Sequence, residues 1–389
     1  MPPLVPWRTG TPVLAATYAR WMTAARRWTL VVAAAVVLLA APIAVRALPA
    51  DDPEVPAARL LVAAQASGTV AYSGYVESSG TLQLPVTDQF SEVAGLLGGR
   101  SRLRVWWRSA DDWRVDSLTP AGERDLLHSH GLTTEWDYEA ERVTTTPRSE
   151  VRLPRSSDLL PPELGRLVLA DARPGEVSAL GAETVAGIDA AGLRLVPAER
   201  QATVDHVDVW MDPDTGLPLQ VSVFSADAAA PDISTRFLEL STTMPSERVT
   251  RFVAPPGVSV DFDDVVDVAG AAQRYAPVVA PRRLAGLGPR RGGLGRGAVG
   301  EYGRGVTAMA AIPLWENSAE PLREQLARTP GAVVEADGSS SLSVGPLELL
   351  LTPEAFDEHS WLLLGTVTHP TLERAAAQLA RRALMVAYP

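Results

Sequence analysis

Val207-Asp208-Val209-Trp210-Met211, then Asp212-Pro213-Asp214-Thr215-Gly216, then Leu217-Pro218-Leu219-Gln220-Val221-Ser222-Val223 is the stretch whose reading decides the fold. Val207, Val209 and Met211 alternate with His206, Asp208 and Trp210, and beyond the turn Leu219, Val221 and Val223 resume the apolar series. A period of two puts these six side chains on one face of two strands. Asp and Pro favour a tight turn and Gly216 is free to take positive φ, so the pair closes into an antiparallel hairpin with one buried face.

The pattern extends upstream. Leu103, Val105 and Trp107 alternate with Arg102, Arg104, Trp106 and Arg108, and Ala110-Asp111-Asp112 turns the chain into a strand from Trp113 through Val115 to Leu118. Further strands are expected over Asp125 to His130, Leu132 to Tyr138 and Arg142 to Thr145, with turns at Gly131 and Glu139-Ala140-Glu141. Gaps this short leave no room for crossover helices, so the sheet is antiparallel. Pro53 to Ser67, Phe90 to Leu97 and Pro162 to Ala170 carry apolar residues at helical spacing and can cover one side of it. A strongly curved sheet covered in this way encloses apolar space, which either side chains or a ligand can fill. Tyr72, Tyr75, Leu103, Val105, Val115 and the hairpin set from Val207 to Val223 are the candidate lining. Trp107, Trp113, Trp136 and Tyr138 read either as core aromatics or as the wall of an acyl pocket.

Composition removes large classes of chemistry. The chain has no Cys, and its 35 basic residues are all Arg, a usage that fits a GC-rich genome. Without Cys there is no thiol nucleophile, thiolate metal site, disulfide or lipidated cysteine. Without Lys there is no Walker A lysine and no Schiff base. Trp28 to Val45 has no charged residue and is about 27 Å long as a helix, just enough to span a bilayer. Arg8, Arg20, Arg26 and Arg27 precede it, so the expected topology is a cytoplasmic segment 1–27, a signal anchor or signal peptide 28–48, and an extracytoplasmic remainder. That remainder holds 46 acidic residues against 30 Arg, a balance unsuited to nucleic acid.

Residues 51–272 form the expected first domain and 273–300, rich in Pro, Gly and Arg, a flexible basic linker. Over 301–389, Val306 to Pro313, Ser341 to Leu351 and Trp361 to Thr366 are expected as strands, and Pro321 to Leu326 and Thr371 to Met385 as helices. Gly295-Arg296-Gly297-Ala298-Val299-Gly300 matches a dinucleotide-loop pattern, but a Pro/Arg-rich stretch precedes it where a buried strand is needed. His128-Ser129-His130 has a spacing that metals use, with no third ligand in view. Asp212 to Gly216 is explained by hairpin chemistry before calcium. No catalytic residue, metal or cofactor is expected.

Val70-Ala71-Tyr72-Ser73-Gly74-Tyr75-Val76 after a helix, Thr134-Glu135-Trp136-Asp137-Tyr138-Glu139-Ala140-Glu141-Arg142-Val143, and Val209-Trp210-Met211-Asp212-Pro213-Asp214-Thr215-Gly216-Leu217-Pro218-Leu219 together resemble the LolA/LppX-like lipoprotein-carrier superfamily. Asp337-Gly338-Ser339-Ser340-Ser341-Leu342-Ser343-Val344, Gly365-Thr366-Val367 and the helix Leu372 to Leu379 bring the resemblance nearest to RseB/MucB-type sigma-factor regulatory proteins. The resemblance implies an α+β fold: a curved antiparallel β half-barrel covered by short helices, a smaller C-terminal α+β domain, and here one N-terminal transmembrane helix. It also implies a hydrophobic cavity, a lipid or acylated lipoprotein as ligand, and a membrane anti-sigma factor as partner. A regulator that binds its protein partner without lipid, and an extracytoplasmic hydrolase, are the alternatives.

Overall fold

The computed structural model describes residues 55–82, 91–119, 122–147, 154–226, 228–258, 260–262, 278–291, 297–353, 359–382 and 384–385, with five single positions between 28 and 35. The expected anchor 28–48 otherwise lies outside the described residues, among which no helix is long and apolar enough to cross a membrane. Residues 51–389 form one compact unit.

The larger sheet has twelve strands built from two meanders. The first is β1 (Tyr72–Gly80), β2 (Arg100–Ser109), β3 (Asp112–Thr119), β4 (Gly122–Ser129), β5 (Leu132–Asp137) and β6 (Arg142–Pro147). The second is β7 (Val177–Val185), β8 (Ile188–Leu195), β9 (Val204–Met211), β10 (Pro218–Ser225) and β11 (Ile233–Ser241). Antiparallel pairing of β1 with β11 joins them, and β12 (Val260–Phe262) adds a parallel edge beside β6.

One face of this sheet is covered by α1 (Ala57–Ala66), α2 (Ser91–Gly98), the short turn Ser156–Leu159 and α3 (Pro161–Leu169). Leu96, Leu159 and Leu160 pack there on Tyr72, Leu103, Val105, Trp107 and Val115. Leu60, Leu61, Leu164 and Val168 pack on Val207, Val209, Met211 and Val221. On the other face the chain leaving β11 crosses β2 and β3 through α4 (Glu247–Thr250), held by Arg108 donating to the Pro245 carbonyl, before it reaches β12.

The hairpin that decided the fold forms as its residues predict. The Asp212 carboxylate accepts from Asp214 N at 3.0 Å and Thr215 Oγ1 at 2.7 Å, so turn bonds occupy both oxygens. Gly216 sits at φ 71°, and a Cβ there would lie 2.5 Å from the Ala63 backbone. The turn is thus pressed against α1, and Gly216→Ala is expected to lower stability by roughly 1–3 kcal/mol through left-handed strain alone. Urea denaturation checks this; a loss within error would show that the turn takes another backbone conformation without cost.

The second sheet has six strands in the order β14 (Gly300–Arg304), β15 (Thr307–Trp315), β19 (His359–Gly365), β18 (Leu347–Leu351), β17 (Ser340–Val344) and β16 (Val333–Val334). Helices α5 (Glu316–Arg328) and α6 (His369–Arg382) pack on it. The single strand expected over Ser341 to Leu351 is two strands, because Gly345 at φ 55° reverses the chain. Within the segment expected to be a flexible linker, residues 278–291 are instead packed. β13 (Val278–Val279) pairs with β20 (Leu384–Met385), Leu284 and Leu287 are buried in the second core, and Tyr302 donates to the Pro281 carbonyl at 2.6 Å. Its apolar residues are few but regularly inward, which composition alone conceals.

The two sheets are tied at several points. Ala202 bridges to Val367, and Leu82, Leu97 and Ile233 of the first core extend into the Leu314, Leu342 and Val344 cluster of the second. Arg304 donates to Glu176 Oε2 at 2.8 Å, Glu199 Oε1 at 2.6 Å and the Asp171 carbonyl at 2.7 Å.

Candidate functional site

The candidate lining residues divide between two faces. Tyr72, Leu103, Val105, Trp107, Trp113, Val115 and Leu219 share one inner cluster. Val207, Val209, Met211, Val221 and Val223 share the neighbouring one. Trp113 stacks on Trp107 with ring centres 5.5 Å apart, and Trp107 stacks on Tyr72 at 5.8 Å. The inner face is filled by these side chains over the described residues.

Tyr75, Trp136 and Tyr138 do not belong to it. Val115 pairs with Leu126, which pairs with Glu135, whereas Asp116 pairs with Asp125, which pairs with Trp136. Directly paired residues point the same way, so Trp136 lies on the face opposite Val115. It is buried there, while Tyr138 is 45% exposed. Tyr75 pairs with Arg104 and likewise faces away from Val105. Of the histidine pair, His128 is buried, stacked on Trp113 and 2.9 Å from Thr133 Oγ1, and His130 has left the strand at φ 52°.

The inner face is apolar but holds unpaired donors. The Tyr72 hydroxyl, Trp107 Nε1 and Arg166 Nη1 are buried without a hydrogen-bond partner. Tyr72 is fully buried, and desolvation followed by the Glu163 charge pushes its hydroxyl well above the ordinary value. Arg166 binds Glu163 through its other nitrogen, and burial pushes the Glu163 carboxyl up despite that contact. Each unpaired buried donor costs about 1–3 kcal/mol relative to one that finds an acceptor.

The opposite face carries a buried carboxyl pair that periodicity does not reveal. Asp116 and Asp125 are 1% and 3% exposed. Arg114 donates to Asp116 Oδ1 at 2.6 Å and Asp125 Oδ2 at 2.7 Å, and Tyr138 adds a bond to Asp125 Oδ2 at 3.2 Å. Asp125 Oδ1 has no partner. Glu123 is close enough for the three carboxylates to bring oxygens within 4.8 Å of one another. Arg114 already engages both oxygens of Asp116, so a cation there would have to displace a guanidinium. Desolvation and then the Asp116 charge push the Asp125 carboxyl up to about 7.

No family model matches the sequence, and no curated protein matches it. Among solved structures, a chain in the complex of Pseudomonas aeruginosa MucA/MucB is 16% identical at TM-score 0.48, with 85% of this chain and 99% of that one covered. MucB in complex with MucA(peri) is 18% identical at TM-score 0.47, covering 82% and 97%. A LolA superfamily protein from Nitrosomonas europaea is 12% identical at TM-score 0.24, covering 51% of this chain and 98% of that one.

Proposed function

We propose that this chain is a non-catalytic binding protein of the extracytoplasmic cell envelope, held at the membrane by residues 28–48, whose inner face receives the acyl part of a lipid or lipoprotein. The observation that carries the ligand is the row of buried, unpaired donors, Tyr72 OH, Trp107 Nε1 and Arg166 Nη1, set into an apolar face. An ester or amide carbonyl at the head of an acyl chain would satisfy them. Burial of about 0.8 kcal/mol per methylene would offset the displacement of a covering helix such as α2, which contributes Leu96 to that cluster. The resemblance to RseB/MucB-type regulators extends the reading to a membrane anti-sigma factor that responds to occupancy. Residues 51–272 and 301–389 would then be the two working halves.

Native mass spectrometry of the full chain extracted from membranes tests this by looking for a bound lipid mass. Tyr72→Phe removes only the hydroxyl. It is expected to reduce lipid retention and to leave the delipidated chain as stable as wild type, or more stable by roughly 1–3 kcal/mol, because an unpaired buried donor is gone. An empty wild-type chain combined with a destabilised Tyr72→Phe variant would sink the reading, since the hydroxyl would then be serving the fold.

A further inference from the structure

The face opposite the proposed ligand site carries a second recessed surface. A groove of about 520 Å³ lies on β11, β1 and β2, bounded by Tyr75, Arg104, Trp106, Glu239 and Leu240. The guanidinium carbons of Arg104 and Arg114 lie 6.0 Å and 5.5 Å from the centre of the Trp106 ring. Their electrostatic situations differ. Arg114 is neutralised by Asp116 and Asp125, whereas Arg104 is exposed and has no carboxylate of the described residues within 4.0 Å. Beside it Arg100 and Arg102, with side chains 68% and 57% exposed, share the single carboxylate of Glu77 at 3.9 Å each. In a chain of net charge −11, Arg104 thus presents an unpaired guanidinium beside an indole, with Glu239 in the same groove.

We propose that this groove docks an acidic, extended segment of a partner protein, with a carboxylate on Arg104 and an adjacent apolar or aromatic side chain against Trp106 and Tyr75. The planar guanidinium matches a carboxylate in two-point geometry, and its place beside the indole limits the freedom lost on binding. Glu239 sets the direction. It pairs with Tyr75, which pairs with Arg104, so its backbone stands two strand spacings, roughly 10 Å, from that of Arg104. A carboxylate laid toward Glu239 is repelled, so the segment binds one way round; a uniformly anionic membrane surface cannot satisfy that polarity. β1, β2 and β11 are central strands with both edges paired, which fixes the groove in advance of binding. The inference rests on the chain being a binding protein but not on a lipid in the inner face.

Fluorescence anisotropy of a fluorescein-labelled peptide Glu-Glu-Tyr-Leu-Glu-Glu with the full chain tests it. Arg104→Glu should weaken binding at least tenfold. Arg104→Lys, which keeps the charge but not the fork, should weaken it less, and Arg328→Glu on α5, where the side chain is 79% exposed, should leave it unchanged. The matching peptide with Gln for Glu should bind at least tenfold more weakly than the acidic one. Equal affinity of wild type and Arg104→Glu, no binding of the acidic peptide, or Arg104-dependent binding seen only with phosphatidylglycerol vesicles would each overturn the proposal. Lipid retention by mass spectrometry in Arg104→Glu separates the two faces: unchanged retention with lost peptide binding supports the groove alone, and lost peptide binding in Tyr72→Phe as well would assign both effects to the inner face and overturn it.

Discussion

Arg304→Met is expected to destabilise the chain by roughly 3–5 kcal/mol and to split one unfolding transition into two, because it leaves the buried Glu176 carboxylate without its cation. Arg304 projects from β14 of the second sheet and meets Glu176, Glu199 and the Asp171 carbonyl, all from the part of the chain that builds the first sheet. The Glu176 side chain is 6% exposed and also accepts from Arg173 N at 2.8 Å and Ala198 N at 3.1 Å. These bonds, led by the one from Arg304, lower its carboxyl from the ordinary value of 4.5 to about 2. The sign follows directly. A carboxyl whose pKa is lower in the folded state contributes stability above about pH 4.5 and loses it as pH falls toward 2. Wild type should therefore lose the stabilisation over that window, and Arg304→Met should show a flatter acid limb. Guanidinium denaturation at pH 7 and pH 3, followed by near-ultraviolet circular dichroism, measures both effects. A loss below about 1 kcal/mol with a single transition would mean that Leu82, Leu97, Ile233 and the Ala202 to Val367 bridge hold the sheets together unaided.

How much of this was legible in the residues depends on which faces are covered. In β9 and β10 one face is apolar and the other largely polar, so period two reads inward and outward correctly and the hairpin appears in the sequence as it does in the structure. In β5 both faces bury side chains, Thr133 on one and Trp136 on the other. Apolar residues can then stand on either side. Leu132, Trp136 and Tyr138 alternate as though they faced the helices, and only the pairing of Trp136 with Asp125 shows the opposite. β7 and β8 were missed because a register shift between Leu180 and Glu183 interrupts the alternation, and β7 is a half-exposed edge. The inner aromatic row of Tyr72, Trp107 and Trp113 was readable, but that the Tyr72 and Trp107 donors lack acceptors is a three-dimensional fact. The Arg304 contact is equally invisible, because its partners lie 128 and 105 residues away.

Asp125→Asn is expected to stabilise the chain at alkaline pH and to do little at pH 5. Asp116, Asp125 and Arg114 carry one positive charge against two negative when both carboxyls are ionised, and Glu123 adds a further negative charge nearby. Holding a proton on Asp125 balances the buried trio. Desolvation is the largest cause of its rise from 3.8 to about 7, the Asp116 charge comes next, and Arg114 only partly opposes them. For a carboxyl raised in the folded state the linkage runs opposite to that of Glu176. Between about pH 4 and pH 7 the folded chain binds more protons than the unfolded one, so stability falls as pH rises through that window and the loss is complete above it. A shift of this size corresponds to an effect on the order of 2–4 kcal/mol at pH 8, discounted for relaxation around the pair. Asn keeps the shape, still accepts from Arg114 and Tyr138 through its carbonyl oxygen, and can direct its amide toward Asp116, so the variant should lose less stability between pH 5 and pH 8 than wild type does. Asp116→Asn provides the converse check, because removing the neighbouring charge should lower the Asp125 carboxyl and flatten the same slope. If wild type shows no fall in stability from pH 5 to pH 8, Asp125 is ionised in the folded chain, and Arg114 with Tyr138 suffices to hold two buried negative charges.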